Sequence, residues 1–303
     1  MASFSNDVKE ELCSGITDRD KMYACLYGAV LFCRSISDNH ISFSTESLGF
    51  AGLLENLFER IFGKGAIPLV ESGRKRNNVS VYNLSINNSD TVKNILSEYD
   101  IDVYKKKINL KNIVNNSLNS FLAGVFFVCG SVSNPYKEYH LEFSIAEKKL
   151  ADDLNGILLN LGIEAGYAER KNSSVLYIKD SENIEDILTF IGARQSTIDL
   201  MNIKIYKDVR NKVNRIANCD SANIDKVISA ALRQIEDINV IKLSGEFDKL
   251  SPDLREVAAL RIENPEYSLS EIGELLEKPI GRSGVTKRFQ RIAAAADEIR
   301  KKV

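Results

Sequence analysis

Two apolar segments of this sequence repeat one another, and the repeat constrains the fold more than any other feature. The first is LYGAVLFCR at residues 26–34, and the second is LAGVFFVCG at residues 122–130. A predicted strand follows each segment, at residues 40–44 and 140–144. The segments lie 96 residues apart and the strands 100 apart, a difference that a turn-forming insertion at residues 134–137 accounts for. Self-similarity at a fixed spacing indicates a duplicated structural unit.

The order of predicted elements repeats as well. Each strand runs into an amphipathic helix that ends at Gly63 or Gly162, and glycine is the expected residue just past a helix. The helices are predicted at residues 46–62, 147–161, 90–99 and 182–191, and the further strands at 66–70, 79–86, 164–170 and 175–179. The sequence therefore predicts an α+β fold of two α-β-β-α-β-β-α halves packed about a pseudo-twofold axis, followed by an all-α domain.

Composition places the chain among globular proteins. Apolar residues make up 44% of its 303 residues and charged residues 27%. The sequence has neither an apolar run of membrane-spanning length nor a signal peptide at its start, so we expect a cytoplasmic protein without a membrane partner. The five cysteines form no Cys-x-x-Cys pair, which favours reduced thiols over disulfides or zinc; they are Cys13, Cys25, Cys33, Cys129 and Cys219.

The segment at residues 122–130 resembles the LAGLIDADG motif of homing endonucleases, and the segment at residues 26–34 resembles it more weakly. The resemblance implies two paired helices that approach closely at matching small residues, here Gly28 and Gly124. It also implies a catalytic carboxylate at the eighth motif position, where the acid holds a divalent cation. This chain has Cys33 and Cys129 there, and a thiol does not replace a carboxylate as a ligand for magnesium. We expect the fold to be kept and the nuclease lost, with no metal and no cofactor.

Neither the cysteines nor the histidines at the repeated positions predict catalysis by themselves. Cys33 and Cys129 read as buried core thiols rather than ligands or redox sensors, since cysteine is commonly buried. His40 and His140 each begin a predicted strand, and no carboxylate and nucleophile accompany them. We therefore predict no catalytic residue.

The last third of the chain reads as helices. Residues 204–218 form a predicted polar linking helix, residues 219–223 a break with capping residues, and residues 224–240 a helix with an apolar stripe. Residues 253–277 carry seven acidic and two basic side chains, whereas residues 278–302 carry eight basic and two acidic ones. We interpret the point where the sign changes as the turn of a DNA-reading motif.

Three shorter helices follow in this region. Ser251-Pro252-Asp253 is a helix start, and that helix stops before Pro265. Ser268 and Glu271 fit a capping box, and the helix behind them is predicted to bury residues 269, 272, 275 and 276 and to end at Pro279. A third helix begins near residue 282 or 283. Two short helices, a turn and a basic helix make a helix-turn-helix.

A helical wheel separates two faces of the last helix. Residues 285, 289, 292, 296 and 299 form an apolar face, and polar and basic residues lie opposite it. Lys287 is predicted to reach guanine and Gln290 adenine, while Thr286, Arg288 and Arg291 suit phosphates. The predicted DNA-binding residues are Ser268, Ser270, Arg282, Ser283, Thr286, Lys287, Arg288, Gln290 and Arg291.

A degenerate LAGLIDADG pair followed by a helix-turn-helix resembles the WhiA family. The resemblance extends over nearly the whole chain, through segments at residues 3–12, 130–142, 250–258 and 283–285. It implies a transcription factor that acts in cell division, chromosome segregation and, in some bacteria, sporulation. It also implies double-stranded promoter DNA as the partner, a nucleoid-associated location and no nuclease activity.

Two other functions stay open at this point. One is an active metal-dependent endonuclease, which the thiols of Cys33 and Cys129 in place of carboxylates disfavour. The other is an adaptor whose duplicated domain binds a protein partner or co-regulator, which a net charge of only -2 leaves open. The expected domains are residues 1–110 and 111–203 for the two halves, 204–223 for the linking helix and 224–303 for the DNA-binding domain.

Overall fold

The computed structural model describes residues 3–66, 68–76 and 79–301. The chain divides into two compact units, Met1–Lys207 and Asp208–Val303. The first unit mixes helices with two β-sheets, and the second is helical. Each unit has its own hydrophobic core.

The first half of the first unit begins with an extra helix that the second half lacks. Its elements are α1 (Phe4–Gly15), α2 (Arg19–Leu31), β1 (Ser35–Ser37), β2 (His40–Thr45), α3 (Leu48–Phe62), β3 (Leu69–Arg76), β4 (Val79–Ile86) and α4 (Ser89–Glu98). The second half consists of α5 (Leu118–Cys129), β5 (Gly130–Val132), β6 (Leu141–Ile145), α6 (Lys148–Asn160), β7 (Gly166–Arg170), β8 (Ser173–Ile178) and α7 (Ser181–Ile191).

Both halves use one sheet topology. The four antiparallel strands run in the order β1-β2-β4-β3 in the first sheet and β5-β6-β8-β7 in the second. The glycines behind α3 and α6 have positive φ, 86° at Gly63 and 79° at Gly162, as a helix stop requires. The predicted order α-β-β-α-β-β-α is thus confirmed in both halves.

Helices α2 and α5 pack against each other at the centre of this unit, and the contacts are symmetric. A methyl group built on Gly28 would overlap the carbonyl oxygen of Phe121, and one built on Gly124 would overlap the carbonyl oxygen of Cys25. Residues 25 and 28 correspond to residues 121 and 124 in the repeat. The two backbones therefore meet at matching points of the pseudo-twofold pair, which only glycine permits.

Helix α1 ties the first unit together through two neighbouring carboxylates. Glu10 accepts hydrogen bonds from the Ser47 hydroxyl (2.8 Å) and the Gly49 amide (3.2 Å) at the start of α3. Glu11 accepts from the amides of Gln195 (2.6 Å) and Ser196 (2.9 Å) at the start of the long helix α8 (Arg194–Leu243). Each acid meets the unpaired amides of a helix N-terminus, where negative charge is favourable.

The strand predicted at residues 66–70 was wrong in its start. Lys64–Ala66 form a 3-10 turn, residue 67 lies outside the described residues, and β3 extends from Leu69 to Arg76. The apolar residues at 66–70 suggested a short buried strand, but the pairing of β3 with β4 extends well into the polar residues behind them. Backbone pairing rather than apolar content sets the length of this strand.

Helix α8 (Arg194–Leu243) is one continuous helix, so the break predicted at residues 219–223 was wrong. Asp220, Ser221 and Asn223 are capping residues by type, but all three are exposed and the segment contains neither glycine nor proline. Without glycine or proline nothing in the backbone forces a break, and capping residue types are tolerated inside a helix at a modest cost. The helix stops near Gly245, where φ is 72°.

The second unit packs the end of α8 against α9 (Pro252–Glu263), α10 (Leu269–Glu274) and α11 (Arg282–Arg300). The capping box of Ser268 and Glu271 is confirmed. Helix α10 ends at Glu274 rather than at the predicted proline, and Leu275 is half exposed. The chain beyond it bonds elsewhere, since the amide of Glu277 donates to Glu256 Oε1 at 2.6 Å.

Among the described residues, no helix has the length and apolar character that a membrane crossing requires.

Candidate nucleic-acid interface

Helix α11 has one face in the core and one in solvent. Val285, Phe289, Ile292 and Ala296 are buried, and Ile299 packs against them half-buried. These are the residues of the predicted apolar face. Because the spacing of this face fixes the rotation of the helix, the opposite side chains must project outward.

Five of the predicted DNA-binding residues share one shallow surface on the outward side of α11; they are Arg282, Ser283, Thr286, Lys287 and Gln290. Arg282, Lys287 and Gln290 are exposed, and their side chains make no hydrogen bond or ion pair within the described part of the chain. The Thr286 hydroxyl donates to the carbonyl of Arg282 at 2.8 Å and keeps its lone pairs available. The surface thus offers two free cations and a free amide, the groups that phosphates and base edges accept.

Two further basic residues of α11, Arg288 and Arg291, face acids of α9. Arg288 Nε lies 3.6 Å from Asp253 Oδ2, and its Nη1 lies 3.9 Å from Glu256 Oε2, with only 19% of the side chain exposed. Arg291 Nη1 lies 4.0 Å from Asp253 Oδ2, but 66% of this side chain is exposed. Arg288 is therefore engaged inside the unit, while Arg291 remains accessible.

Ser268 and Ser270 lie at the start of α10. Ser268 Oγ accepts from the Glu271 amide at 3.3 Å, and Glu271 Oε2 accepts from the Ser268 amide at 2.6 Å. These bonds to Ser268 hold the pKa of Glu271 below its ordinary value. Ser270 is exposed.

A second depression, the basic groove, adjoins the first. It is lined by Lys226, Val227, Ala230, Gln234, Arg261, Ser268, Leu269, Ser270 and Arg282. Arg282 belongs to both depressions. Sequence reasoning missed Lys226 and Arg261, because both stand outside the basic segment; the apolar stripe of α8 gave the only signal that Lys226 lies near the motif.

In the first unit, the two degenerate motif positions line one cleft at the ends of α2 and α5, together with Arg34, Ser42, Ser44 and Ser144. The Cys33 thiol donates to the carbonyl of Ser42 at 2.7 Å, and the Cys129 thiol to that of Val125 at 3.2 Å. Burial raises the pKa of Cys33 to about 11 and that of Cys129 to about 12, so both thiols stay protonated at neutral pH.

A lysine accompanies each of these cysteines. Lys106 is buried, and its Nζ donates to the carbonyl of Cys33 at 3.3 Å and lies 2.9 Å from Glu147 Oε1. Lys9 Nζ donates to the carbonyl of Phe127, in the last turn of α5, at 3.0 Å. Burial lowers the pKa of Lys9, and the negative charge of Glu46 opposes this shift. Each motif helix therefore ends beside an ammonium group, which suits the negative end of a helix dipole.

The cleft does not fit a divalent cation of the magnesium type. Its motif positions offer protonated thiols instead of carboxylates, and such thiols are poor ligands for magnesium. Within residues 3–66, 68–76 and 79–301, no group of three or more His, Cys, Asp or Glu side chains is placed to hold a metal.

Comparison with known proteins identifies both parts of the chain. The family model described as the WhiA C-terminal HTH domain matches residues 213–296, and that of the WhiA LAGLIDADG-like domain matches residues 118–210. A probable cell division protein WhiA of Clostridium botulinum is 33% identical over 315 residues, covering 98% of this chain and 99% of its own. One from Clostridium perfringens is 35% identical over 319 residues, covering 98% of each.

A solved structure supports the same relation. The crystal structure of full-length DUF199/WhiA from Thermotoga maritima superimposes with a TM-score of 0.57 at 27% identity. The match covers 98% of this chain and 99% of that one. The duplicated LAGLIDADG-like fold and the C-terminal helix-turn-helix predicted from the sequence are thereby confirmed.

Proposed function

Because this chain belongs to the WhiA family, we propose that it is a transcriptional regulator that binds promoter DNA through its C-terminal unit. The observation that carries the proposal is the outward face of α11, where Arg282, Lys287 and Gln290 are exposed and without partners in the described structure. The opposite face of the same helix forms the core. A rigid helix that presents unpaired polar groups suits the major groove.

The proposed contacts divide by chemistry. Lys287 and Gln290 read base edges, since a lysine suits guanine acceptors and a glutamine suits adenine. Arg282, Ser283, Thr286 and Arg291 contact phosphates, which fix the register of the helix on the duplex. Arg288 supports binding without contacting DNA, because its contacts with Asp253 and Glu256 hold α11 on α9.

The genes under control are proposed to serve cell division, with chromosome segregation and, in some bacteria, sporulation. The names of the relatives, probable cell division proteins, support the first of these. Binding to promoters would place the protein at the nucleoid, and the first unit is left as the surface for a protein co-regulator. We further propose that the chain is not a nuclease, which is supported by the protonated thiols that stand at the two motif positions of the cleft.

Binding of the full chain to genomic DNA fragments across a salt series tests the proposal. The Lys287→Ala/Arg291→Ala variant is compared with the wild type and with a Lys242→Ala/Lys249→Ala control, which removes the same charge outside the interface. Wild type and control should bind selected fragments, with affinity that falls as salt rises. The interface variant should lose about 10-fold or more, since a base contact contributes about 1–3 kcal/mol.

Equal and weak binding by all three proteins would refute the proposal, because the basic face of α11 would then be only a solvated surface. Equal and selective binding by all three would place the DNA contact elsewhere on the chain and refute the assignment to α11.

A further inference from the structure

The basic groove of the second unit has a positive charge at its floor. Arg261 is only 2% exposed, although arginine is rarely buried without an acid partner. Its Nε donates to Gln234 Oε1 at 2.9 Å, and its Nη1 donates to the carbonyl of Tyr267 at 2.6 Å. Every acceptor that the described structure provides for this guanidinium is neutral, and no carboxylate lies within ion-pair distance. The guanidinium therefore has no ion-pair partner among the described residues.

The guanidinium keeps its charge despite burial. Burial lowers the pKa of Arg261, and the charge of Glu266 opposes this shift. An arginine starts from so high a pKa that it remains protonated in proteins. The ring of Phe289 stacks under it at 5.5 Å from the centroid, which supports a cation without neutralising it.

Two further cations stand at the rim of the groove. Lys226 of α8 and Arg282 of α11 are exposed, and neither forms an ion pair within the described residues. The hydroxyl-bearing residues Ser268 and Ser270 also line the groove, and none of the described residues that line it is acidic. Three positive charges and two hydroxyls around one depression are the chemistry of a phosphate site.

The position of the groove indicates where that phosphate comes from. Arg282 lines both the groove and the outward face of α11, so the two surfaces are continuous. A duplex seated on that face would carry its sugar-phosphate backbone along the rim. We propose that the basic groove binds one backbone phosphate of DNA, with Lys226 as the contacting residue and Arg261 as a positioning residue that supplies the field beneath it. The proposal rests on the proposed function and extends the interface to helix α8.

A salt series with Lys226→Gln tests the groove. The full-length wild type, this variant and a Lys242→Gln control on the same helix are titrated with a selected fragment and an unrelated duplex of equal length. A lost phosphate contact should lower the affinity for both duplexes by the same factor and reduce the slope of log Kobs against log salt by about 1. The control should keep the wild-type slope. Unchanged thermal unfolding of each variant confirms that the fold is intact.

The outcomes separate this inference from the proposed function. If the wild type binds DNA and Lys226→Gln has the same affinity and the same salt slope, the proposed phosphate site is refuted and the proposed regulator function is unaffected. A loss confined to the selected fragment would also overturn it, because a phosphate contact carries no sequence information. Calorimetry with inorganic phosphate tests whether the groove binds free phosphate instead. Phosphate binding by the wild type that Lys226→Gln abolishes, with no change in the affinity of the variant for DNA, would refute the DNA contact. A wild type that binds neither duplex would overturn both proposals.

Discussion

A single methyl group added at Gly124 tests whether the close approach of α2 and α5 holds the duplicated unit together. In Gly124→Ala the new carbon would overlap the carbonyl oxygen of Cys25 and lie 3.1 Å from the amide nitrogen of Ala29. Both obstacles are backbone atoms of α2, so no side-chain rotation relieves the clash. The helices must move apart, and the packing on both sides must adjust.

The magnitude follows from comparison with a second glycine. Gly156 lies inside α6, and a methyl group there would meet nothing within 4 Å. Both substitutions gain the same helix preference for alanine, about 0.5–1 kcal/mol. The difference between the two variants therefore isolates the cost of overpacking, about 1–3 kcal/mol. For a unit of this size that corresponds to roughly 2–12 °C in melting temperature.

Tyrosine fluorescence during thermal or urea unfolding is the suitable assay. The chain has no tryptophan, and ten of its 11 tyrosines lie in Met1–Lys207, so the signal reports on the first unit. We expect Gly156→Ala to unfold at or above the wild-type midpoint and Gly124→Ala to unfold clearly below Gly156→Ala. Equal stability of the two variants would refute the argument that the helix contact requires glycine.

The remaining predictions concern the cleft of the first unit. Iodoacetamide at pH 8 should modify the exposed Cys219 of the native chain and spare Cys33 and Cys129. The thiolate is the reactive form, and the pKa values of Cys33 and Cys129 are about 11 and 12. Equal labelling of all three cysteines in a mass-spectrometric time course would contradict this prediction. The double variant Cys33→Asp/Cys129→Asp should show no magnesium-dependent nicking of supercoiled plasmid, because Lys106 and Lys9 would pair with the new carboxylates. Nicking by this variant that disappears when a chelator is added would contradict the prediction.

Local signals in the sequence were sufficient for much of the fold. The repeat predicted two matching halves, and Gly28 and Gly124 stand where the paired helices touch. The Ser268 capping box was predicted because its bonds join residues only three apart. The apolar face of α11 was predicted because a helix imposes one period on all its residues.

Features set by distant residues were not predictable in this way. Helix α8 continues through residues 219–223, because residues of capping type can also stand inside a helix and residue type alone does not reveal which role they take. Beyond the early end of α10, the amide of Glu277 bonds to Glu256, 21 residues away in the sequence. The engagement of Arg288 by Asp253 likewise required the packing of α11 on α9.

The candidate interface followed the same rule. Arg282, Lys287 and Gln290 were named from one helix and do share one surface. Lys226 and Arg261 come from two other helices and meet Arg282 only through tertiary packing. Arg261 in particular lies in an acidic stretch of sequence, where a positive site was not expected.

The lysines beside the two motif cysteines limit what substitutions at those positions can achieve. A mutation that returned an acid at Cys33 or Cys129 would meet an ammonium group already in place, and the product would be a salt bridge instead of a metal ligand. Removing a lysine first would leave the last carbonyls of a motif helix without their donor. A carboxylate at either position would therefore be held by the neighbouring lysine, so a metal ligand there would require the cysteine and its lysine to change together.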